Sequence, residues 1–162
     1  EIRLSLVGSE MCIRDSPVVV VIEDSDEDFY TFRRMIEKLD TFENTSHPLL
    51  RFDDGDDALD YLLREGEYTE LTAPRPKLVL LDLNLPGTDG RDIIKGVRHD
   101  PRLRSLPIVV LTTSQNQQDI ETCYANGANG YVLKRVGIQA TQDTLQVLVR
   151  YWFVISVLPD PS

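Results

Sequence analysis

The sequence predicts an α/β fold in which one parallel sheet of five strands carries five helices on its two faces. Two observations predict it. Short continuous apolar runs alternate along the chain with longer segments of helical period, the pattern of strands joined by crossover helices. Those runs also lack the in-and-out alternation of a half-exposed strand, so both faces of the sheet need cover. Size and composition agree. A chain of 162 residues suits one domain with a proper core, and 41% hydrophobic with 27% charged residues is ordinary for a globular protein.

Each element follows from its residues. PVVVVIED (17–24) is a β-branched run ending in acids and reads as a buried strand. DEDFYTFRRMIEKLD (26–40) places Phe29, Phe32, Ile36 and Leu39 on one helical face, with acids in its first turn to suit the helix dipole. HPLLRF (47–52) is a short strand, and DDGDDALDYLLREG (53–66) a turn and helix. EYTELTAPRP (67–76) is a polar connection, longer than the usual two to six residues between such elements. KLVLLDLNLP (77–86) is the central strand, and GRDIIKGVRHDP (90–101) a helix stopped before Pro101. LPIVVLTTS (106–114) is the fourth strand, and QQDIETCYANG (117–127) a helix closed by Gly127 at its C′ position. NGYVLK (129–134) is the fifth strand, and a long last helix is expected from about Ile138 to Leu158, before Pro159. Right-handed crossovers then favour the flavodoxin-like strand order 2-1-3-4-5.

Several functions are disfavoured. A formal charge of −10 opposes nucleic-acid binding, which needs a basic surface. No apolar run approaches the roughly 18 residues of a membrane span. The two cysteines, Cys12 and Cys123, form neither a disulfide framework nor a metal spacing, which points to a reduced, cytoplasmic setting. Residues 1–16, EIRLSLVGSEMCIRDS, are too short in apolar content and too broken by charge for a secretory signal. They resemble a translated sequencing-library adapter; whether adapter-derived or a disordered arm, they stand outside the domain expected over 17–162.

In the order 2-1-3-4-5, strands one and three are neighbours, and ligands bind at the carboxyl ends of such strands. Those ends carry Glu23, Asp24 and Asp82, while strand four ends on Thr112 and strand five on Lys134. Carboxylates gathered about 4 Å apart repel by roughly 4 kcal/mol per pair at an effective dielectric of about 20. Protons or a cation must relieve that, and an all-oxygen site with few protein ligands suits Mg²⁺. A carboxylate beside such a cation can take a phosphoryl group as an acyl phosphate, with a lysine and a hydroxyl holding its oxygens.

VVIEDS, LLDLNLPGTDG, VVLTTS and GANGYVLK together resemble the receiver domain of bacterial two-component response regulators, over about residues 17 to 158. The finer wording (DLNLPGTDGR, HDPRLRSLP, CYANGAN and the Trp152…Leu158-Pro159 tail) is similar to single-domain regulators partnered with bacterial phytochromes. The resemblance implies that Asp82 is the phosphoacceptor. It implies Mg²⁺ held by Glu23, Asp24, Asp82 and the backbone carbonyl of Asn84, with Asp24 the direct ligand of the acid pair and Glu23 acting largely through water. Thr112 would be the switch hydroxyl, Lys134 the lysine of the pattern, and Tyr131 the aromatic that swings inward when the hydroxyl engages. The implied phosphodonor is a sensor histidine kinase of phytochrome type, and the implied output a downstream protein or phosphotransfer partner. Such a chain is a signalling phosphoacceptor and not an enzyme, apart from limited self-phosphorylation and self-dephosphorylation.

With no output domain expected after the last helix, that helix should carry an interaction face. Leu145, Leu148, Trp152 and Ile155 form one apolar stripe, suited to the sheet. Val147, Tyr151, Val154 and Leu158 form a second, expected as a homodimer face. One departure stands out: the family pattern has Lys-Pro where this chain has Lys134-Arg135. Without proline a cis peptide costs about 2.5–4 kcal/mol, so the bond is expected trans, with a looser hold on the Lys134 ammonium. Two rival readings have distinct signatures. A haloacid-dehalogenase-type phosphatase would need an acid two residues after Asp82, where Asn84 stands. A phosphate-independent binding module would have no use for Asp82, Thr112 and Lys134 together.

Overall fold

The five apolar runs form five parallel strands, paired in the order β2-β1-β3-β4-β5. The computed structural model describes residues 18–43, 47–68 and 74–159. Along the chain these are β1 (Val18–Ile22), α1 (Asp26–Glu43), β2 (Leu49–Phe52), α2 (Gly55–Leu63), β3 (Pro76–Leu81) and α3 (Gly90–His99). A 3₁₀ turn (Pro101–Leu103), β4 (Ile108–Thr112), α4 (Gln117–Ala125), β5 (Gly130–Leu133) and α5 (Ile138–Arg150) follow. Residues 1–16 and the middle of the 67–76 connection lie outside the described residues.

The strand period of two divides the core into two layers. Val18, Val20 and Ile22 of β1 point to one face and meet Leu62, Ile93, Ile94 and Val97 from α2 and α3. Val19 and Val21 point to the other and meet Phe29, Phe32, Ile36, Leu145 and Leu148 from α1 and α5. Burying each such side chain contributes about 1.5–3 kcal/mol, which is why the strands are apolar on both faces. Local signals close the helices. Asp54 accepts from the Asp56 and Asp57 N–H groups at the start of α2, and Asn116 accepts from Gln118 N–H at the start of α4. Gly127 takes the left-handed conformation just past α4 (φ 102°), as its C′ placement requires.

The last helix departs from expectation. Regular α-helix stops at Arg150, and Tyr151–Ile155 form a π-helical turn before Ser156 returns to extended backbone. Widening the turn from four residues to five rotates everything beyond it. Trp152, Phe153 and Leu158 therefore pack on the α1–α5 layer, and Phe153 sets its ring edge-on against His47 at 4.7 Å between centroids. Val147, Tyr151, Val154 and Ile155 stay exposed. The two expected stripes have thus exchanged members: Ile155 leaves the inward one, and Leu158 leaves the outward one.

Two glycines bring the loops against the site. Gly90 begins α3 directly beneath the end of β3, where a methyl group would stand 2.6 Å from the Asp82 carbonyl oxygen and 2.8 Å from Leu83 Cα. At Gly55 an added methyl group would stand closer still, 2.0 Å from the Thr88 carbonyl oxygen. Backbone cannot move aside as a side-chain tip can. Gly90→Ala is expected to lower unfolding free energy by about 1–3 kcal/mol through overpacking, read as a shift in urea midpoint. Gly96→Ala, whose nearest neighbours are the flexible ends of Leu59, should cost much less.

Candidate functional site

The sheet delivers its polar residues to one edge through the last rungs of its own ladder. Past the strand ends, Asp82 N–H donates to the Ile22 carbonyl at 2.9 Å, Glu23 N–H to the Phe52 carbonyl at 2.9 Å, and Lys134 N–H to the Thr112 carbonyl at 2.8 Å. Glu23, Asp82 and Lys134 are thus each the first residue after a strand and Thr112 the last within one, each fixed by a backbone bond. Glu23 (4% exposed), Asp82 (8%) and Thr112 (0%) are the buried polar side chains among the described residues. Asp24 beside them is exposed, and oxygens of Glu23, Asp24 and Asp82 lie within 4.8 Å of one another.

Asp82 is held on both oxygens. Its Oδ1 accepts from Leu83 N–H at 2.6 Å and Asn84 N–H at 3.3 Å, and its Oδ2 accepts from Lys134 Nζ at 2.9 Å. Glu23 is occupied in the same way, by Ser25 N–H at 3.0 Å on Oε1 and Lys134 Nζ at 2.5 Å on Oε2. The ammonium has a third carboxylate partner, Asp28 Oδ2 in the first turn of α1, at 2.8 Å. The peptide after Lys134 is trans, as no cis bond occurs among the described residues. The expected loosening does not follow: the lysine is fully engaged, and Thr141 Oγ1 closes the next turn by donating to the Arg135 carbonyl at 2.7 Å.

Charge in this pocket is unbalanced. Burial raises the Glu23 pKa above the ordinary glutamate value, and this outweighs the lowering by Lys134. For Lys134 burial works the other way, yet the hydrogen bonds it donates to Asp28, Glu23 and Asp82 outweigh it and raise the pKa. The Glu23 shift reports its burial, and the Lys134 shift reports the three carboxylates gathered around one ammonium. A trio of carboxylates with spare lone pairs and surplus negative charge fits a divalent cation.

Arg51, on β2, fixes the acid loop from outside. Its Nε donates to the Glu23 carbonyl at 3.0 Å, Nη2 to the Asp24 carbonyl at 3.1 Å and Nη1 to Asp26 at 2.6 Å, with the guanidinium 4.8 Å from the centre of the Phe29 ring. On the other side of the site, Thr112 Oγ1 accepts from Ser114 N–H at 3.3 Å. The Tyr131 hydroxyl donates to the Ser114 carbonyl at 3.0 Å, its ring half-buried against the α2–α4 layer. Ser114 Oγ donates to Asp119 Oδ2 at 2.6 Å, and Arg91 joins Asp119 to Asp89. Asp28, Arg51, Ser114, Asp119 and Arg91 escaped the sequence reading. Asp28 carries a signal as an acid in the first turn of α1, but that placement reads equally as service to the helix dipole.

Strand order, the buried acid at the end of β3 and the lysine at the end of β5 define a receiver domain. The response regulator receiver domain family matches residues 19–146, and this chain belongs to it. It is 34% identical over 142 residues to response regulator Rcp1 of Synechocystis sp., spanning 88% of this chain and 92% of that protein. The Mn(2+)-bound form of Rcp1 superposes with a TM-score of 0.81 at 33% identity, over 88% of this chain and 99% of that one. The phosphorylated cyanobacterial phytochrome response regulator RcpA does so with a TM-score of 0.79 at 32% identity, over 90% and 99%. The chain is therefore a response regulator of two-component signalling. No helix among the described residues is long and apolar enough to cross a membrane.

The Ser114–Asp119–Arg91 cluster gives a pH prediction. Hydrogen bonds from Arg91 and Ser114 depress the Asp119 pKa below the ordinary aspartate value. A depressed carboxyl contributes stability above its unfolded pKa and loses it as pH falls through its folded one. Asp119→Asn should therefore be less stable than wild type at pH 7, and the gap should close as pH drops below about 4. Thermal melts of both proteins across that range check it; a gap that persists in acid would assign the loss to packing.

Proposed function

We propose that Asp82 accepts a phosphoryl group from a sensor histidine kinase and that the chain signals through the resulting change in its interaction surface. The observation that carries this is the Asp82 carboxylate itself, buried and oriented on Oδ1 by two N–H groups, with Oδ2 beside the Lys134 ammonium. In the transfer an oxygen lone pair of Asp82 forms the O–P bond, while the bond from phosphorus to the donor breaks and its electrons leave with the donor. Lys134 stays protonated and holds a phosphoryl oxygen, and the buried Thr112 hydroxyl is placed to donate to another.

Mg²⁺ is the cation we assign to Glu23, Asp24, Asp82 and the Asn84 carbonyl, where it would neutralise charge on the transferred oxygens. Asp24, the exposed member of the trio, is the direct ligand we assign from the acid pair, with the buried Glu23 acting largely through water. The manganese-bound Rcp1 and phosphorylated RcpA structures support metal and phosphoryl binding in relatives. The phytochrome named with RcpA supports a phytochrome-type kinase as the donor, and we assign the chain to the cytoplasm. Output would pass to a downstream protein or phosphotransfer partner. Exposed Val147, Tyr151 and Val154, joined by Ile155, are the surface we assign to homodimerisation.

Incubation with acetyl phosphate and Mg²⁺ followed by intact-mass measurement tests the reading. One phosphoryl adduct per chain is expected, absent from Asp82→Asn. Turnover of many equivalents would instead mark a phosphatase, and no adduct a phosphate-independent module. A second expectation concerns the crowded acids: Asp24→Ala should weaken Mg²⁺ binding yet raise the melting temperature in metal-free buffer, because it relieves repulsion. A lower metal-free melting temperature would make Asp24 chiefly structural.

A further inference from the structure

Lys134 is held at the strand edge by its side chain. Its ammonium has three protons, and each meets a carboxylate from a different element: Glu23 after β1, Asp82 after β3 and Asp28 on α1. Two of these carboxylates belong to the acid trio; Asp28 does not. Asp28 is also unlike them in burial. Its side chain is 40% exposed, so water could satisfy it, whereas that of Glu23 is only 5% exposed. Burial does not force the contact. What directs it is the helix: Asp28 N–H donates to Ser25 Oγ at 3.3 Å, and the next residue, Phe29, is buried against Val21 and Leu80. Phe29, Phe32, Leu111 and Leu145 line a small apolar cavity that Lys134 and Asp28 border together.

We propose that Asp28 is a positioning residue that holds the Lys134 ammonium against Asp82. The inference rests on the reading of Asp82 as phosphoacceptor. When Asp82 forms the O–P bond it ceases to be a carboxylate, and its pull on the ammonium weakens. Glu23 is shared with Ser25 N–H and sits among the metal-binding acids. Asp28 is the carboxylate partner outside the acid trio, so its hold on the ammonium is shared with neither the cation nor the phosphoryl group. It therefore keeps the ammonium aimed while the group arrives.

The opposite effect also has a physical basis: Asp28 adds negative charge near an incoming anionic phosphodonor. Solvent screens that charge because the side chain is well exposed. Removing Asp28 distinguishes the two, since lost positioning slows transfer and relieved repulsion speeds it.

The test compares Asp28→Ala with Asp28→Asn, which loses the same charge and helix-dipole contribution but retains an acceptor oxygen for the ammonium. With acetyl phosphate and Mg²⁺, Asp28→Ala should be labelled about tenfold more slowly than wild type, and Asp28→Asn within about threefold of it. The second readout needs neither metal nor phosphate. In ¹H–¹⁵N spectra of the lysine ammonium groups, Lys134 should give a protected, slowly exchanging signal in wild type and Asp28→Asn, lost in Asp28→Ala. Equal or faster labelling of Asp28→Ala, or an unchanged ammonium signal, would overturn the proposal. Should the wild-type chain take no label, the phosphoacceptor reading fails, and the ammonium signal alone still decides whether Asp28 positions Lys134.

Discussion

One ammonium among four carboxylates is the interaction on which the strand-end architecture depends. Lys134 joins β5 to β1, β3 and α1 through Glu23, Asp82 and Asp28, while Asp24 stands exposed beside them. Burying acids so close together is unfavourable unless each finds a donor, and the chain meets that need from several directions. Backbone N–H groups of Ser25, Leu83 and Asn84 take further lone pairs, and Arg51 fixes the acid loop from behind by its carbonyls. The charge is still in excess. On the proposed reading, that excess of negative charge makes the pocket receptive to a cation and, through it, to a phosphoryl group.

The site is connected to the surface by a short run of hydrogen bonds. Thr112, Ser114, Tyr131, Asp119 and Arg91 tie the end of β4 to β5, α4 and α3. On the phosphoacceptor reading, a Thr112 hydroxyl that turns toward the phosphoryl group withdraws from Ser114 N–H, and the Ser114 contacts with Tyr131 and Asp119 must readjust. Arg91 then acts as a restraint between α3 and α4. Exposed apolar residues lie further on, along the outer side of α5 and the π-helical turn, where a widened turn has moved Ile155 outward.

Much of this was legible in the sequence because parallel strands are buried on both faces and so write themselves as unbroken apolar runs. A polar residue ending such a run has one place to go, the carboxyl edge of the sheet. Hence Glu23, Asp82, Thr112 and Lys134 were readable from their positions alone. Asp28 and Arg51 were not. Asp28 has the same sequence context whether it serves the helix dipole or a lysine more than a hundred residues away, and Arg51 looks like any exposed strand residue until the register sets it opposite Val21. The π-helical turn was hidden for another reason. Its residues, Tyr-Trp-Phe-Val-Ile, are apolar at every position, so no helical period marks where the phase changes. Lys134-Arg135 misled in the opposite sense, since local backbone preference indicated a loose lysine where side-chain pairing holds it.

The central claim is that the Lys134 ammonium and the buried Glu23 carboxylate stabilise the fold only as a pair. A double-mutant cycle of Lys134→Met and Glu23→Gln, with unfolding free energies measured in urea at pH 8 without metal, tests it most directly. Lys134→Met alone should cost about 3–5 kcal/mol, because it leaves a buried charge unpaired. Adding Glu23→Gln should recover a large part of that loss, giving a coupling above about 1.5 kcal/mol. Two losses that simply add, within about 0.5 kcal/mol, would contradict the account and make the ammonium a bystander to the fold.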